Sequence, residues 1–432
     1  MKLFFPLLLL GFCQTFAQSL LTLKDALLIA SSENYDIQLA TNDQLLAKHM
    51  EYYGNAGEQP VYIFQASDNA QLLGVNQKLA NGNEISKVGV PSNAFSSNVG
   101  ISYPVFNKFR TNAVKNRIVE QTNIAQKRTI LQTQNIAAQV IVKYYEIVRQ
   151  KKLIKSLQTT LDVSLKRLEI IKTKLSLGLS NNTDLYLAEL DLNSRQQEVV
   201  NQELLLKQNK AELNSLLSLA VDNDFQVSDT IDINPDLNID DLIAKSKQNP
   251  ELLISQSQSK VLEWLEKETH SQRLPTVRLN GGLAANVSNT TAGFLLQNLN
   301  YGPFVGASFS VPLLNHNIFD RQEQLVSMQR KSNDINTKSV ENKINSNIYR
   351  LFIAYQTQLN NIEVESKNIK TAKQYLEIML ERYKLNQSNA IELRESQTTY
   401  EQSVFRLVSA QFATKVVETE LLRLSGSIFI VN

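Results

Sequence analysis

The chain has 432 residues, with 44 lysines and arginines against 42 aspartates and glutamates. That near-neutral balance, with no long basic run or basic–aromatic face, excludes nucleic acid as a partner. If residues 1–17 are removed, the one cysteine, Cys13, goes with them and thiolate chemistry is excluded; the three histidines, His49, His270 and His316, share no local metal-binding spacing.

Taken in chain order, residues 1–17 read as a secretory signal peptide. Lys2 is the charged start, 3–12 the apolar stretch, and Thr15-Phe16-Ala17 the small-residue end before Gln18. The apolar run is too short for a membrane anchor, which needs about 20 residues. Cys13 follows Phe12 rather than a small residue, which disfavours a lipid attachment there. A helix is expected over 23–50. A strand pair follows over about 60–105, then a long helical hairpin over 107–220 that turns at 178–182. Residues 221–239, with Pro235, form a linker. The pattern then recurs: a helix over 240–269, a strand pair over about 275–313, and a hairpin over 315–426 turning at 386–389. A short strand at 427–432 closes the chain. The domain plan is therefore a signal peptide (1–17), a first repeat (18–220), the linker, a second repeat (240–426) and the terminal strand.

The recurrence is a duplication. Shifted by 208 residues, Tyr103-Pro104-Val105-Phe106-Asn107 falls on Val311-Pro312-Leu313-Leu314-Asn315, Asp184-Leu185 on Glu392-Leu393, and Leu216 on Leu424. Upstream the shift is 215, carrying Asn34 onto Asn249 and Pro60 onto Pro275. A unit this long is no solenoid repeat, whose period is about 20–50 residues. It implies two similar halves.

The hairpins follow strict heptads. Val140, Ile147, Ile154, Leu161, Leu168 and Leu175 recur every seven residues, matched by Ile348, Tyr355, Ile362, Ile369, Leu376 and Tyr383. The return legs carry Leu185, Leu192, Val199, Leu206 and Leu213, matched by Leu393, Tyr400, Leu407, Thr414 and Leu421. A seven-residue period drives left-handed coiled-coil packing. Asn107 and Asn315 are expected to cap the long helices, and glycine or asparagine to close them at Gly178 and Asn386. The strands alternate instead. Val99, Ile101, Tyr103 and Val105 face one way, against Asn98, Gly100 and Ser102; Val305, Ala307, Phe309 and Val311 face one way, against Gly306, Ser308 and Ser310. Such a sheet has one side in an apolar medium, which the alternation alone leaves open as lipid or as the core of a soluble sandwich, and one side in water. Residues 67–96 and 286–301 are expected to be loops, the first with Asn81-Gly82 as a hairpin turn.

No Gly-x-Ser-x-Gly, phosphate-cradling loop or dinucleotide fingerprint is present, so neither a catalytic residue nor a cofactor is assigned. Trp264 is ascribed to packing.

A signal peptide followed by two copies of helix, strand pair and long helical hairpin resembles the TolC-like outer-membrane efflux proteins. Tyr-Pro-Val-Phe-Asn and Val-Pro-Leu-Leu-Asn resemble that family's strand-to-helix turn. Lys174, Leu177-Gly178-Leu179 and 184–189 resemble its first hairpin tip, and Arg382-Tyr383 with Glu392-Leu393 its second. The resemblance implies a mainly helical fold with a small β part: a homotrimer whose four strands per chain build a 12-stranded transmembrane barrel, and whose hairpins build a periplasmic α-barrel. It implies a passive exit duct in the outer membrane of a Gram-negative bacterium, not an enzyme. The partners would be a periplasmic adaptor (membrane fusion protein), an inner-membrane transporter and outer-membrane lipid. Val99, Ile101, Tyr103, Val305, Ala307, Phe309 and Val311 would face lipid. Glu392, Glu395, Tyr383 and Arg382 would form the aperture. Leu177, Gly178, Leu179, Asn181, Asp184, Leu385, Asn386, Ser388 and Asn389 would dock the adaptor. The alternatives are an outlet for secreted polypeptides and, in another class, a periplasmic coiled-coil adaptor or structural protein.

Overall fold

The computed structural model describes residues 20–313 and 316–428. The signal peptide, the cap expected at Asn315 and the terminal strand from residue 429 onward lie outside them. The elements run α1 (Leu23–Glu33), α2 (Tyr35–Asn55), β1 (Val61–Lys78), β2 (Glu84–Phe106), α3 (Lys108–Ser176) and α4 (Asn182–Leu216). The second half repeats the series as α5 (Ile239–Ser246), α6 (Pro250–Ser271), β3 (Thr276–Thr290), β4 (Gln297–Ser310), α7 (Ile318–Lys384) and α8 (Ala390–Leu424).

Each helix expected before a strand pair is broken in two, and the break has the same cause in both halves. The Asn34 side chain donates to the Leu216 carbonyl at 2.8 Å and accepts from the Asp36 and Ile37 amides. Asn249, its counterpart, donates to the Leu424 carbonyl at 2.9 Å and accepts from the Glu251 amide. One asparagine thus starts a new helix and ties it to the end of its own hairpin.

The chain forms two compact units. One comprises residues 20–41, 128–253 and 340–428; the other comprises 42–127 and 254–339, and α3 and α7 contribute to both. In the first unit no residue of the four heptad rows is exposed. Ile147, Leu213, Ile348, Leu393 and Leu421 are fully buried. Each such side chain contributes about 1.5–3 kcal/mol relative to leaving it in water. Tyr145 and Tyr355 lie in these cores, and desolvation pushes each phenol up to about 12.

The second unit holds a four-stranded antiparallel sheet in the order β1-β2-β3-β4, so the two repeats meet at β2 and β3. The expected loop at 67–96 is strand instead. β1 and β2 pair from Val61↔Ser102 to Lys78↔Glu84 around a short turn at Asn81-Gly82. Serine and asparagine are poor strand formers in isolation, but a continuous ladder satisfies the backbone groups that β1 and β2 turn toward each other and overrides that preference. The one irregularity, between Leu73 and Val75, falls opposite Gly89, whose φ of +77° suits a bulge. Likewise β3 and β4 shorten the expected loop at 286–301 to 291–296.

Two boundaries shift. Val311 lies past the end of β4, so it is not a strand residue. α7 begins at Ile318, three residues later than expected, because His316 and Asn317 both adopt left-handed backbone with φ of 51° and 64°.

Candidate functional site: a two-faced sheet and the hairpin ends

Directly paired residues of an antiparallel sheet share a face. The register therefore sorts the sheet. One face carries rows such as Phe64–Val99–Leu283–Pro303 and Tyr62–Ile101–Gly281–Val305. Tyr103, Ala307 and Phe309 fall on it too. Val105 does not continue the row: the register slips between Pro104 and Phe106, so Phe106 takes the place opposite Val277. The other face carries Gln65–Asn98–Ala284–Gly302 and Ser67–Ser96–Asn286–Asn300. Ile63 and Phe304 are apolar exceptions, in one row with Gly100 and Gly282. A Cβ on Gly282 would meet the Val99 carbonyl, so glycine is what lets β2 and β3 approach there. The apolar face is left open: Val305 is 88% exposed and Phe309 68%.

The hairpin ends repeat one motif with different residues. At the first, the Leu179 amide bonds the Lys174 carbonyl at 2.8 Å and Gly178 has φ of +70°. At the second, the Gln387 amide bonds the Arg382 carbonyl at 2.9 Å and Asn386 has φ of +57°. Asn386 thus does what Gly178 does. Asn181 and Asn389 then cap α4 and α8, accepting the Asp184 and Glu392 amides. Leu177, Leu179 and Leu385 stand 66–67% exposed, and Ile391, not singled out from sequence, is 77% exposed.

The four aperture candidates divide. Tyr383 is buried in a core with Leu376, Leu380 and Leu393, and Lys174 of the other hairpin lies 4.7 Å from its ring centre. Arg382 donates to the Gln387 carbonyl at 3.0 Å, bracing the turn. Glu392 accepts from the Ser388 hydroxyl at 2.7 Å and from the Asn389 amide, completing a capping box. Those hydrogen bonds, led by Ser388, hold its carboxyl below the usual carboxylate range. Glu395 is exposed on the next turn.

Sequence reasoning missed a buried polar layer between the hairpins. Asp191 of α4 accepts from Ser164 of α3 at 3.0 Å and lies 3.5 Å from Arg167; both charged side chains are under 8% exposed. Gln397 of α8 donates to the Thr160 carbonyl at 3.1 Å and to Ser164 at 3.0 Å. Glu401 receives Arg195 and the Thr160 hydroxyl. The hint in the sequence was that a polar residue, Gln397, stands four residues after Leu393 and three before Tyr400 of the heptad row.

Among the described residues no helix is long and apolar enough to cross a membrane, and no group of three potential ligands gathers to hold a metal. Residues 65–218 match the family model of the outer membrane efflux proteins. The chain has the fold of the outer-membrane efflux channels. The outer membrane protein VceC of Vibrio cholerae matches with a TM-score of 0.75 at 14% identity, over 94% of this chain and 96% of that chain. The CmeC outer membrane channel of Campylobacter jejuni gives 0.75 at 15% identity, over 94% and 86%. The open state of the MtrE outer membrane channel of Neisseria gonorrhoeae gives 0.69 at 14%, over 94% and 88%. At such identities the likeness is one of fold, and it covers both repeats. It is a fold that channels of this type complete as trimeric combined α- and β-barrels. A sequence search of curated proteins finds no match.

Proposed function

We propose that this chain is a passive exit duct of a Gram-negative outer membrane, exporting small molecules as the outlet of a tripartite efflux pump. Three copies contribute four strands each to one transmembrane barrel, and their hairpins line a periplasmic tube. The observation that carries this reading is the two-faced sheet. Its apolar face is uncovered and its other face is mostly small and polar, as lipid outside and water inside demand. Four strands cannot close a membrane barrel, whose minimum is about eight, so the free edges of β1 and β4 must pair between copies.

The hairpin ends are the docking face for a periplasmic adaptor, which joins the duct to an inner-membrane transporter. The supporting feature is the set of exposed leucines at tight, capped turns, where solvent alone gives them no reason to be. Glu395, with Glu392, supplies the acidic lining of the aperture when three copies meet, attracting cations. No catalytic step is assigned. The test is extraction: the protein should stay with outer membranes through osmotic shock and high salt, leave them only in detergent, and crosslink to an adaptor and a transporter. Release by osmotic shock would overturn the reading.

A further inference from the structure

The second unit contains a groove of about 870 Å³ where strand gives way to helix. Its walls come from the start of α3, the end of α6 and the first turns of α7. The floor is aromatic. Phe106 and Phe109 meet edge to face at 6.3 Å, and Trp264 stands across from them, partly buried. Phe106 pairs with Val277, which is opposite Phe309. The floor is therefore continuous with the open apolar face of the sheet.

The rim is charged in matched pairs. Lys267 bonds Glu263 at 2.9 Å and lies 4.0 Å from the centre of the Trp264 ring system. Arg330 bonds Glu266 at 3.1 Å, and Glu323 pairs with Arg273 at 3.2 Å, with the His270 ring 3.0 Å from the same carboxylate. An aromatic floor under a polar rim is what a membrane–water boundary selects.

We infer that this groove binds one phospholipid with a zwitterionic headgroup. The inference rests on the reading that the apolar face meets lipid. An acyl chain lies on Phe106, Phe109 and Trp264. The phosphate meets Lys267 and Arg330, and the ammonium meets Glu263 and Glu323. An anionic headgroup satisfies the cations but leaves the carboxylates facing its charge, so the matched rim selects the zwitterion. A bound lipid would fix the angle between strand and helix, because its chain touches the last residue of β2 and the first turn of α3.

Trp264 is the chain's one tryptophan, so its fluorescence reports this groove alone. The full-length protein is reconstituted into vesicles of phosphatidylethanolamine and phosphatidylglycerol in which one lipid or the other carries brominated chains. Brominated phosphatidylethanolamine should quench Trp264 about twofold more strongly than brominated phosphatidylglycerol, the scale of selectivity that exposed ion pairs give. Glu263→Gln with Glu323→Gln should remove that preference. Equal quenching by both lipids in the unaltered protein would overturn the inference, as would quenching by aqueous iodide without quenching by either lipid. Phe309→Trp in a Trp264→Phe background separates the two readings. If that tryptophan is quenched while Trp264 is not, the groove holds no lipid although the sheet is in the membrane; if neither is quenched, the membrane reading itself fails.

Discussion

The hairpins and the sheet place the same kinds of residue in opposite surroundings. In the hairpins Val140, Ile147, Ile348 and Leu393 are wholly shielded. In the sheet Leu283, Tyr301 and Val305 are 63, 80 and 88% exposed, on one face and in register. A period of seven makes helices cover one another; a period of two with no partner layer leaves a face waiting for its medium.

The comparison breaks most sharply inside the hairpins. Arg167→Ala would leave the buried Asp191 with only the more distant Arg394, at 3.8 Å, as a cation partner, and should cost about 3 kcal/mol in the thermal unfolding of helical signal. Ile147→Ala should cost about 2–5 kcal/mol by the same measurement. Val305→Ala, on the open face, should change detergent-solubilised stability by less than about 0.5 kcal/mol. Equal costs at Ile147 and Val305 would mean that the sheet face is packed against protein after all.

Charge sharpens the contrast within the sheet. Val305→Arg should destabilise the membrane-inserted protein by about 2–4 kcal/mol, whereas Ser308→Arg on the polar face should be mild. Folding in lipid vesicles with urea titration measures both. At the hairpin ends stability and function should part. Leu177→Asp with Leu179→Asp should leave stability within about 0.5 kcal/mol and trimers intact on native gels, yet abolish export. Normal export would remove these leucines from adaptor docking.

The smallest effect concerns pH. The Glu392 carboxyl is held low by Ser388 and the Asn389 amide. Its stabilisation of α8 is therefore present at neutral pH and is lost as pH falls through its depressed value. Unfolding between pH 7 and pH 3 should show a shallower acid loss in Glu392→Gln than in the unaltered chain.

Much of this was legible because the chain states its plan twice. The repeat gave the halves, the heptads gave the seams, and Gly178 with Asn386 gave the turns. What escaped depends on partners distant in sequence. Thr160, Asp191, Gln397 and Glu401 become one layer only once three helices are packed. The ladder through 67–96 was hidden because serine and asparagine carry little intrinsic strand preference, and pairing supplies what propensity lacks. His316 and Asn317 delay α7 through backbone geometry that side-chain pattern does not encode.

The central claim is that copies of this chain enclose a water-filled path through lipid, and planar-bilayer recording tests it most directly. Purified protein added to one side should produce discrete, cation-selective conductance steps, and Glu392→Gln with Glu395→Gln should lower that selectivity. A protein that remains in the aqueous phase and carries no current, while its helices stay folded, would contradict the account.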